Sequence, residues 1–378
     1  MPPERLIRSR ETLEEFRLRL QPLRVIDEYE TLLEDLFFIR NPRFKFDENH
    51  ERELEAFIDE YKGKQRLEDL GEWFYFPWNH SLVHYLPEDE HFEIRTARNK
   101  NLIVEAEQRS MYNLRVAYAG LSVGSHGALT FGLIGGGKII HIADPDTLSP
   151  SNLNRIRSTF VDIGRKKTAL VREQLWELDP YADITSFDDG VSKDSMNDFL
   201  DNVDVLVEET DKLDLKILLR LAARERRIPV IMATDNGDNV IADVERFDLE
   251  PERPLFHGAI GDVDEHTFSG FPAHHLPKLA TKIAGQDFVT ERMLASLIEV
   301  GKSLYSWPQL GNAATLAGVV IATALKRLAC NEPLPSGKFD VSMDAALDPD
   351  HSSPHTAKKR AMGRARYLAA LGLADESV

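Results

Sequence analysis

From about residue 114 to residue 247, short apolar runs alternate with stretches of helical spacing, and this alternation restricts the possible folds more than any other feature. Val116–Ala119, Ile139–Ala143, Ile184–Phe187, Val203–Val207 and Val230–Ala233 read as short buried strands. Between them lie an apolar helix from about Ser125, a helix over Lys166–Leu178 and another over Leu215–Arg226. Such an order implies right-handed crossovers and a mainly parallel sheet with helices on both faces. The expected class is α/β with a Rossmann-like sheet. Val240–Phe247 adds a further strand, leading into a turn at Pro251 and Pro254. In sheets of this kind ligands bind beyond the carboxyl ends of the strands, so polar residues at those ends carry most of the functional information.

Two appendages flank a core expected over residues 111–335. Residues 1–110 are expected to form a mostly helical region making dimer or substrate contacts. Tyr29, Leu32, Leu33, Leu36 and Phe37 recur at helical spacing there, and two or three amphipathic helices are expected before residue 70. The aromatic run Trp73–Trp78 is too apolar for a solvated linker, while Pro77 argues against a central strand. It is expected to pack on the core or on a second subunit. Gly311–Leu328 reads as a long, nearly uncharged, buried helix, and residues 336–378 as a tail with a basic helix over Lys358–Arg366.

Composition narrows the function classes. The 378 residues carry 63 acidic and 46 basic side chains, a net charge of −17 that argues against coating nucleic acid. The single cysteine, Cys330, excludes an intrachain disulfide and any Cys-pair zinc site, so no zinc is expected. No run is long and apolar enough to cross a bilayer, and residues 1–20 are dense in Arg and Glu. The chain reads as a soluble cytoplasmic protein.

The chemistry lies at the strand ends. Gly120-Leu-Ser122-Val-Gly124-Ser-His126-Gly127 follows a strand and opens a helix, where small residues and free amides favour an anion. Asp144 ends the next strand, about twenty residues on, where an acidic side chain suits ribose hydroxyls. These two features fit any dinucleotide-binding domain, including an NAD(P)-dependent oxidoreductase, although the glycine spacing departs from GxGxxG. The following run, Asp144-Pro-Asp146 to Ser151-Asn152-Leu-Asn154-Arg155, is more specific. Arg155 offers a planar fork to phosphate oxygens, and Asn152 a neutral donor and acceptor. Gly164-Arg-Lys166-Lys167 begins a helix with an ammonium, and Glu209-Thr-Asp211 places a carboxylate suited to Mg²⁺ at the same sheet edge.

In this order the glycine turn, Asp-x-Asp, Ser-Asn-Leu-Asn-Arg, Gly-x-x-Lys and Thr-Asp resemble the ThiF/MoeB/HesA family, which forms the adenylation domain of ubiquitin-activating enzymes and their bacterial relatives. The likeness covers about residues 110–250, with an echo in the helix near 311–330. The wording Gly-Leu-Ser-Val-Gly, with Asp243-Val-Glu-Arg-Phe-Asp-Leu-Glu-Pro251 downstream, is similar to a bacterial subgroup sometimes fused to a nitroreductase-like domain. The resemblance implies ATP and Mg²⁺ as cofactors and a homodimer. It places Gly120, Ser122 and Gly124 around the phosphates, Asp144 on the ribose, Asn152, Arg155 and Lys167 on the triphosphate, and Asp211 on Mg²⁺. An arginine from the other subunit often completes such sites; Arg98 is the candidate here, with Arg95 second. The glycine turn is one residue shorter than usual, and the Arg155–Lys167 spacing is one residue short, which leaves Lys166 as an alternative. Lys212 stands where Asn is common, and the family's zinc-binding cysteine pairs are absent.

The implied reaction joins a carboxylate to the α-phosphate of ATP and releases pyrophosphate, with Arg155, Lys167 and Asp211 as catalytic residues. The carboxylate could belong to a ubiquitin-like or sulfur-carrier protein, a peptide or a small acid. Cys330, at the end of the long helix, reads as a small buried apolar residue rather than a thioester nucleophile. The rival readings are a catalytically inactive nucleotide-binding subunit and the oxidoreductase. His126 reads either as a phosphate contact or as a helix-start residue facing solvent; His274, His275, His351 and His355 lack a partner at metal-ligand spacing.

Overall fold

The computed structural model describes residues 1–47, 49–261 and 276–372, so His274 and His275 lie outside the described residues. The chain forms two compact units. One comprises Met1–Arg109, Leu133–Gly135 and Glu173–Ala182; the other comprises the rest.

In the first unit, β1 (Glu4–Arg5), α1 (Leu13–Leu20), β2 (Arg24–Ile26), α2 (Tyr29–Arg40), α3 (Glu51–Lys62), β3 (Glu72–Phe76), β4 (Ser81–Tyr85) and α4 (Glu88–Thr96) follow in order. The helices appear where the spacing places them, since Tyr29, Leu33, Leu36 and Phe37 bury one face of α2. A four-stranded sheet, ordered β1-β3-β4-β2, accompanies them. The aromatic run is an inner strand of that sheet, which corrects the expectation drawn from Pro77. The strand ends at Phe76, so the missing amide of Pro77 falls just past the ladder. Trp73 stacks on His84 at 4.2 Å, and His84 on Tyr29 at 4.1 Å, joining strand and helix in one buried column.

α5 (Glu105–Asn113) leads into the larger unit, which alternates β5 (Arg115–Ala119), α6 (Gly124–Leu133), β6 (Ile139–Ala143), α7 (Lys167–Leu178), β7 (Asp183–Phe187), α8 (Met196–Leu200), β8 (Val205–Glu208), α9 (Leu213–Glu225) and β9 (Val230–Asn236). The hairpin strand β10 (Asn239–Glu245), α10 (Leu276–Ala284), α11 (Glu291–Glu299), α12 (Gly311–Ala329), β11 (Gly337–Val341), α13 (Met343–Leu347) and α14 (Pro354–Ala370) complete the described part. The seven-stranded sheet has the order β11-β10-β9-β8-β5-β6-β7. Its five strands from β5 to β9 pair in parallel, and β10 and β11 add an antiparallel edge. Phe199, Ile217 and Leu219 pack with Ala117, Leu206 and Met232 in one apolar cluster. The alanine-rich α12 buries Ala313, Ala317 and Ile321. A Cβ on its Gly318 would lie 2.6 Å from His126, so the bare glycine lets α6 and α12 touch. No helix of the described residues is long and apolar enough to cross a membrane.

Candidate functional site

The chain runs from β5 through β6 and β7 on one side, then crosses back to β8 and β9 on the other. Strand order reverses between β5 and β8, which opens a crevice beyond their carboxyl ends. Gly120–Val123 leaves β5 there, and Glu209–Lys212 leaves β8. Gly120 has φ +88°, and a Cβ on it would sit 2.4 Å from the Glu209 carbonyl oxygen. A glycine is what lets the two loops meet.

Asp144 holds the turn closed. Its Oδ2 accepts from Leu121 N at 2.7 Å and its Oδ1 from Asp146 N at 2.8 Å. Burial pushes this carboxyl above its ordinary range, against the pull of Lys167, whose Nζ lies 3.6 Å away. Lys167, itself buried, donates to Asp146 Oδ2 at 2.9 Å. Lys166 instead donates to the carbonyls of Pro145 and Asp188, at 2.8 Å each. The lysine at the acidic pair is therefore Lys167.

Asn152 caps a 3₁₀ turn over Pro150–Asn152, its Oδ1 accepting from Ser149 N at 3.0 Å. That turn delivers Arg155, whose Nε donates to Ser122 Oγ at 3.1 Å and whose Nη1 donates to Ser151 O and Asn154 Oδ1. Each acceptor is neutral, and among the described residues no carboxylate reaches ion-pair distance of Arg155. Burial lowers the guanidinium's pKa, with Asp235 and Asp211 opposing from further off. His126 is 1% exposed, and its Nε2 lies 2.5 Å from the Arg155 carbonyl oxygen. This overturns the solvent-facing reading of His126: the residue buttresses the segment that carries Arg155.

A chamber of about 580 Å³ opens on the β8–β9 side of the crevice, with Ser122, Glu209, Asp211 and Asp235 in its lining. Asp211 is exposed there. Glu209 accepts from Ala233 N at 2.6 Å, and burial holds its carboxyl well above the ordinary range. Asp235, 8% exposed at the end of β9, is pushed up to about 6, first by burial. Just behind, Glu208 is fully buried; burial pushes it up, yet Lys216 and Arg220 hold it down at about 2. Sequence reasoning missed Asp235, Glu209 and the role of His126. An acidic residue closing the β9 run was a usable signal for Asp235, because the carboxyl ends of the parallel strands β5 to β9 all border the ligand side.

Gly120, Ser122, Gly124, Asp144, Asn152, Arg155, Lys167 and Asp211 thus all lie on the segments leaving β5, β6 and β8 or at the start of α7. Arg98 lies exposed on a short 3₁₀ turn, Ala97–Asn99, in the other unit, and Arg95 is tied to Asp179 at 2.6 Å. Cys330 is half-buried at the C-cap of α12. Among the described residues no group of three or more His, Cys, Asp or Glu could hold a metal by itself. Mg²⁺ carried on a triphosphate needs only one or two carboxylates, and Asp211 fits that mode.

Sheet order and strand-end loops define a Rossmann-like α/β protein with a ligand crevice at its switch point. Residues 96–332 match the ThiF family, and the chain belongs to it. It is 39% identical over 282 residues to the uncharacterised protein MT1398 of Mycobacterium tuberculosis (strain CDC 1551 / Oshkosh), covering 75% of this chain and 39% of that one. It is 27% identical over 132 residues to the sulfur carrier protein ThiS adenylyltransferase of Escherichia coli (strain K12), covering 34% of this chain and 52% of that one. The chain therefore spans about two fifths and about half of the lengths of these curated relatives. The solved structure of PaaA is similar with a TM-score of 0.48 at 16% identity, over 81% of this chain and 92% of that one.

Proposed function

We propose that this protein adenylates a carboxylate with ATP, giving an acyl-adenylate and pyrophosphate. The observation that carries the reading is Arg155, a half-buried guanidinium bonded only to neutral acceptors beside the glycine turn. A cation left unneutralised at a helix start, where free amides also point, is arranged for an anion. The turn Gly120–Gly124 aligns the phosphates, Asn152 and Arg155 hold them, and Asp144 fixes the turn while keeping acceptor capacity for a ribose hydroxyl. Lys167 turns from Asp146 to the triphosphate. Asp211 would hold Mg²⁺, which when bound would supply charge neutralisation to the pyrophosphate group.

A carboxylate is ionised at neutral pH, so no general base is required. The barrier is repulsion between anions, which preorganised cations offset; losing one such contact costs on the order of 3 kcal/mol. Carboxylate-dependent exchange of pyrophosphate into ATP is expected, and is expected to vanish in Arg155→Ala and Asp211→Ala. Exchange that persists in both variants removes these assignments. The acyl donor is a carboxylate of a sulfur-carrier or ubiquitin-like protein, a peptide or a small acid, and Arg98 is proposed to complete the site across a homodimer.

A second reading, nucleotide binding without catalysis, draws on Lys167. Its charge is already engaged by Asp146 at 2.9 Å and Asp144 at 3.6 Å. ATP binding by calorimetry with no exchange for any carboxylate would favour it.

A further inference from the structure

The adenylation reading uses only the rim of the chamber. Its interior is apolar, walled by Met232, Ile241, Ile283, Val289, Met293 and Leu297. Such a wall offers nothing to a triphosphate, and about 580 Å³ lies within the ~300–1,000 Å³ typical of small-molecule sites. Asp235 stands in the same lining. Gln309 Nε2 donates to its Oδ2 at 3.3 Å, while its Oδ1 is buried with no hydrogen-bond partner among the described residues. A buried carboxylate oxygen without a donor is a costly defect, and native structures keep one where something else completes it. Arg155 acts on Asp235 only through its field, being bonded elsewhere. Asp211 and Asp214 also line the chamber, whereas Lys216, one of its two lysines, is committed to Glu208 at 3.1 Å.

We infer that this chamber is the acyl-substrate subsite and that Asp235 Oδ1 accepts from an ammonium group, so that the acid activated is an amino acid or short peptide with an apolar side chain. The apolar side chain lies against the six-residue wall, the ammonium meets Asp235, and the carboxylate turns towards Ser122 at the rim. The proposal rests on the adenylation reading for its chemistry, but its binding claim stands separately. In the reaction a carboxylate oxygen bonds to the α-phosphorus as the bond to the bridging oxygen breaks, and pyrophosphate leaves with that electron pair. The ammonium keeps its proton on Asp235, and so cannot attack the adenylate it adjoins. A diglycine tail has no group for the wall and none for Asp235.

Calorimetry on the full chain, with Mg²⁺ and α,β-methylene-ATP, compares leucine and phenylalanine with their amine-free counterparts 4-methylpentanoate and 3-phenylpropanoate, and with N-acetylglycylglycine, which carries a diglycine end without an ammonium. The amino acids are expected to bind at least tenfold more tightly than the amine-free acids, and Asp235→Asn to erase that ratio. Equal binding of each amino acid and its amine-free acid overturns the inference using wild-type protein alone, as does an unchanged ratio in Asp235→Asn. It is equally overturned if no probe binds, or if N-acetylglycylglycine binds best. Pyrophosphate exchange with the same acids separates the two proposals. Exchange driven equally by amine-free acids sinks the amine selection and keeps adenylation. Selective binding of leucine or phenylalanine without exchange keeps the subsite and sinks adenylation.

Discussion

Asp235 carries a stability prediction that needs no knowledge of the ligand. Burial, reinforced by Asp211 and opposed by Gln309 and Arg155, pushes its carboxyl up to about 6; an unfolded chain would hold it near 3.9. Between roughly pH 4 and 6 the folded protein therefore binds a proton that the unfolded chain has released. Stability from this group is gained as pH falls through about 6 and lost as pH rises through that window. Each pH unit between the two values is worth about 1.36 kcal/mol, so above pH 6 the ionised form costs about 3 kcal/mol. Asp235→Asn keeps the shape and removes the charge, but it leaves a buried amide incompletely bonded. The net gain at pH 7.5 is thus expected at ~1–3 kcal/mol. With unfolding entropy near ~2.1 cal/mol/K per residue, that raises Tm by roughly 1–4 °C for a chain this long. Urea midpoints of both proteins at pH 4.5, 5.5, 6.5 and 7.5 provide the check, because the difference between them cancels every other titrating group. A variant no more stable than wild type at pH 7.5 refutes the reasoning. So does an advantage as large at pH 4.5 as at pH 7.5.

Arg220 is fully buried between Glu208 and Glu245, with its Nε 2.5 Å from Glu245 and its guanidinium over the Phe256 ring. Arg220→Met leaves two buried carboxylates without it, an expected loss of ~3–5 kcal/mol; a urea-derived loss under about 1 kcal/mol would contradict this. Gly318→Ala places a methyl 2.6 Å from His126, at an expected cost of ~1–3 kcal/mol. Because His126 abuts the Arg155 carbonyl, pyrophosphate exchange is expected to fall in the same variant, and unchanged exchange in a folded Gly318→Ala protein argues against that coupling. Arg155→Lys keeps the charge but loses the fork that reaches Ser122 and Asn154. ATP binding is expected to weaken at least tenfold by calorimetry, and affinity equal to wild type would show that charge alone suffices.

The parallel core was legible because its signals are local. Ile139–Ala143 is a strand over the expected residues, and α12 over Gly311–Ala329 is one residue longer than its apolar run suggested. Each needs only its own periodicity to be recognised. The four-stranded sheet of the first unit gave no such signal. β1 and β2 have two and three residues, too few to show alternation, and Glu4 pairs with Tyr75 across seventy positions of sequence. Pro77 misled for a physical reason: its cost to a ladder depends on whether the strand has already ended, which composition does not reveal.

The site divides along the same line. Which residues stand at strand ends follows from the alternation, and so Gly120, Asp144 and Asp211 could be placed at one sheet edge without coordinates. What each atom is already bonded to could not. Asp144 sits where a ribose carboxylate belongs, yet it also clamps Leu121 N, 23 positions away. His126 looks like a helix-start residue until α12 arrives to cover it, since Gly318 lies against it from nearly two hundred residues further on. Asp235 is the sharpest case, because its meaning depends on what is missing. A sequence shows an acidic residue at the end of β9, but only the packed chain shows one oxygen bonded to Gln309 and the other bonded to nothing described. Selection against stability at such a position makes sense where a ligand restores the lost interaction. The stability gain expected for Asp235→Asn and the substrate selectivity expected of Asp235 are therefore two consequences of the same unpaired oxygen.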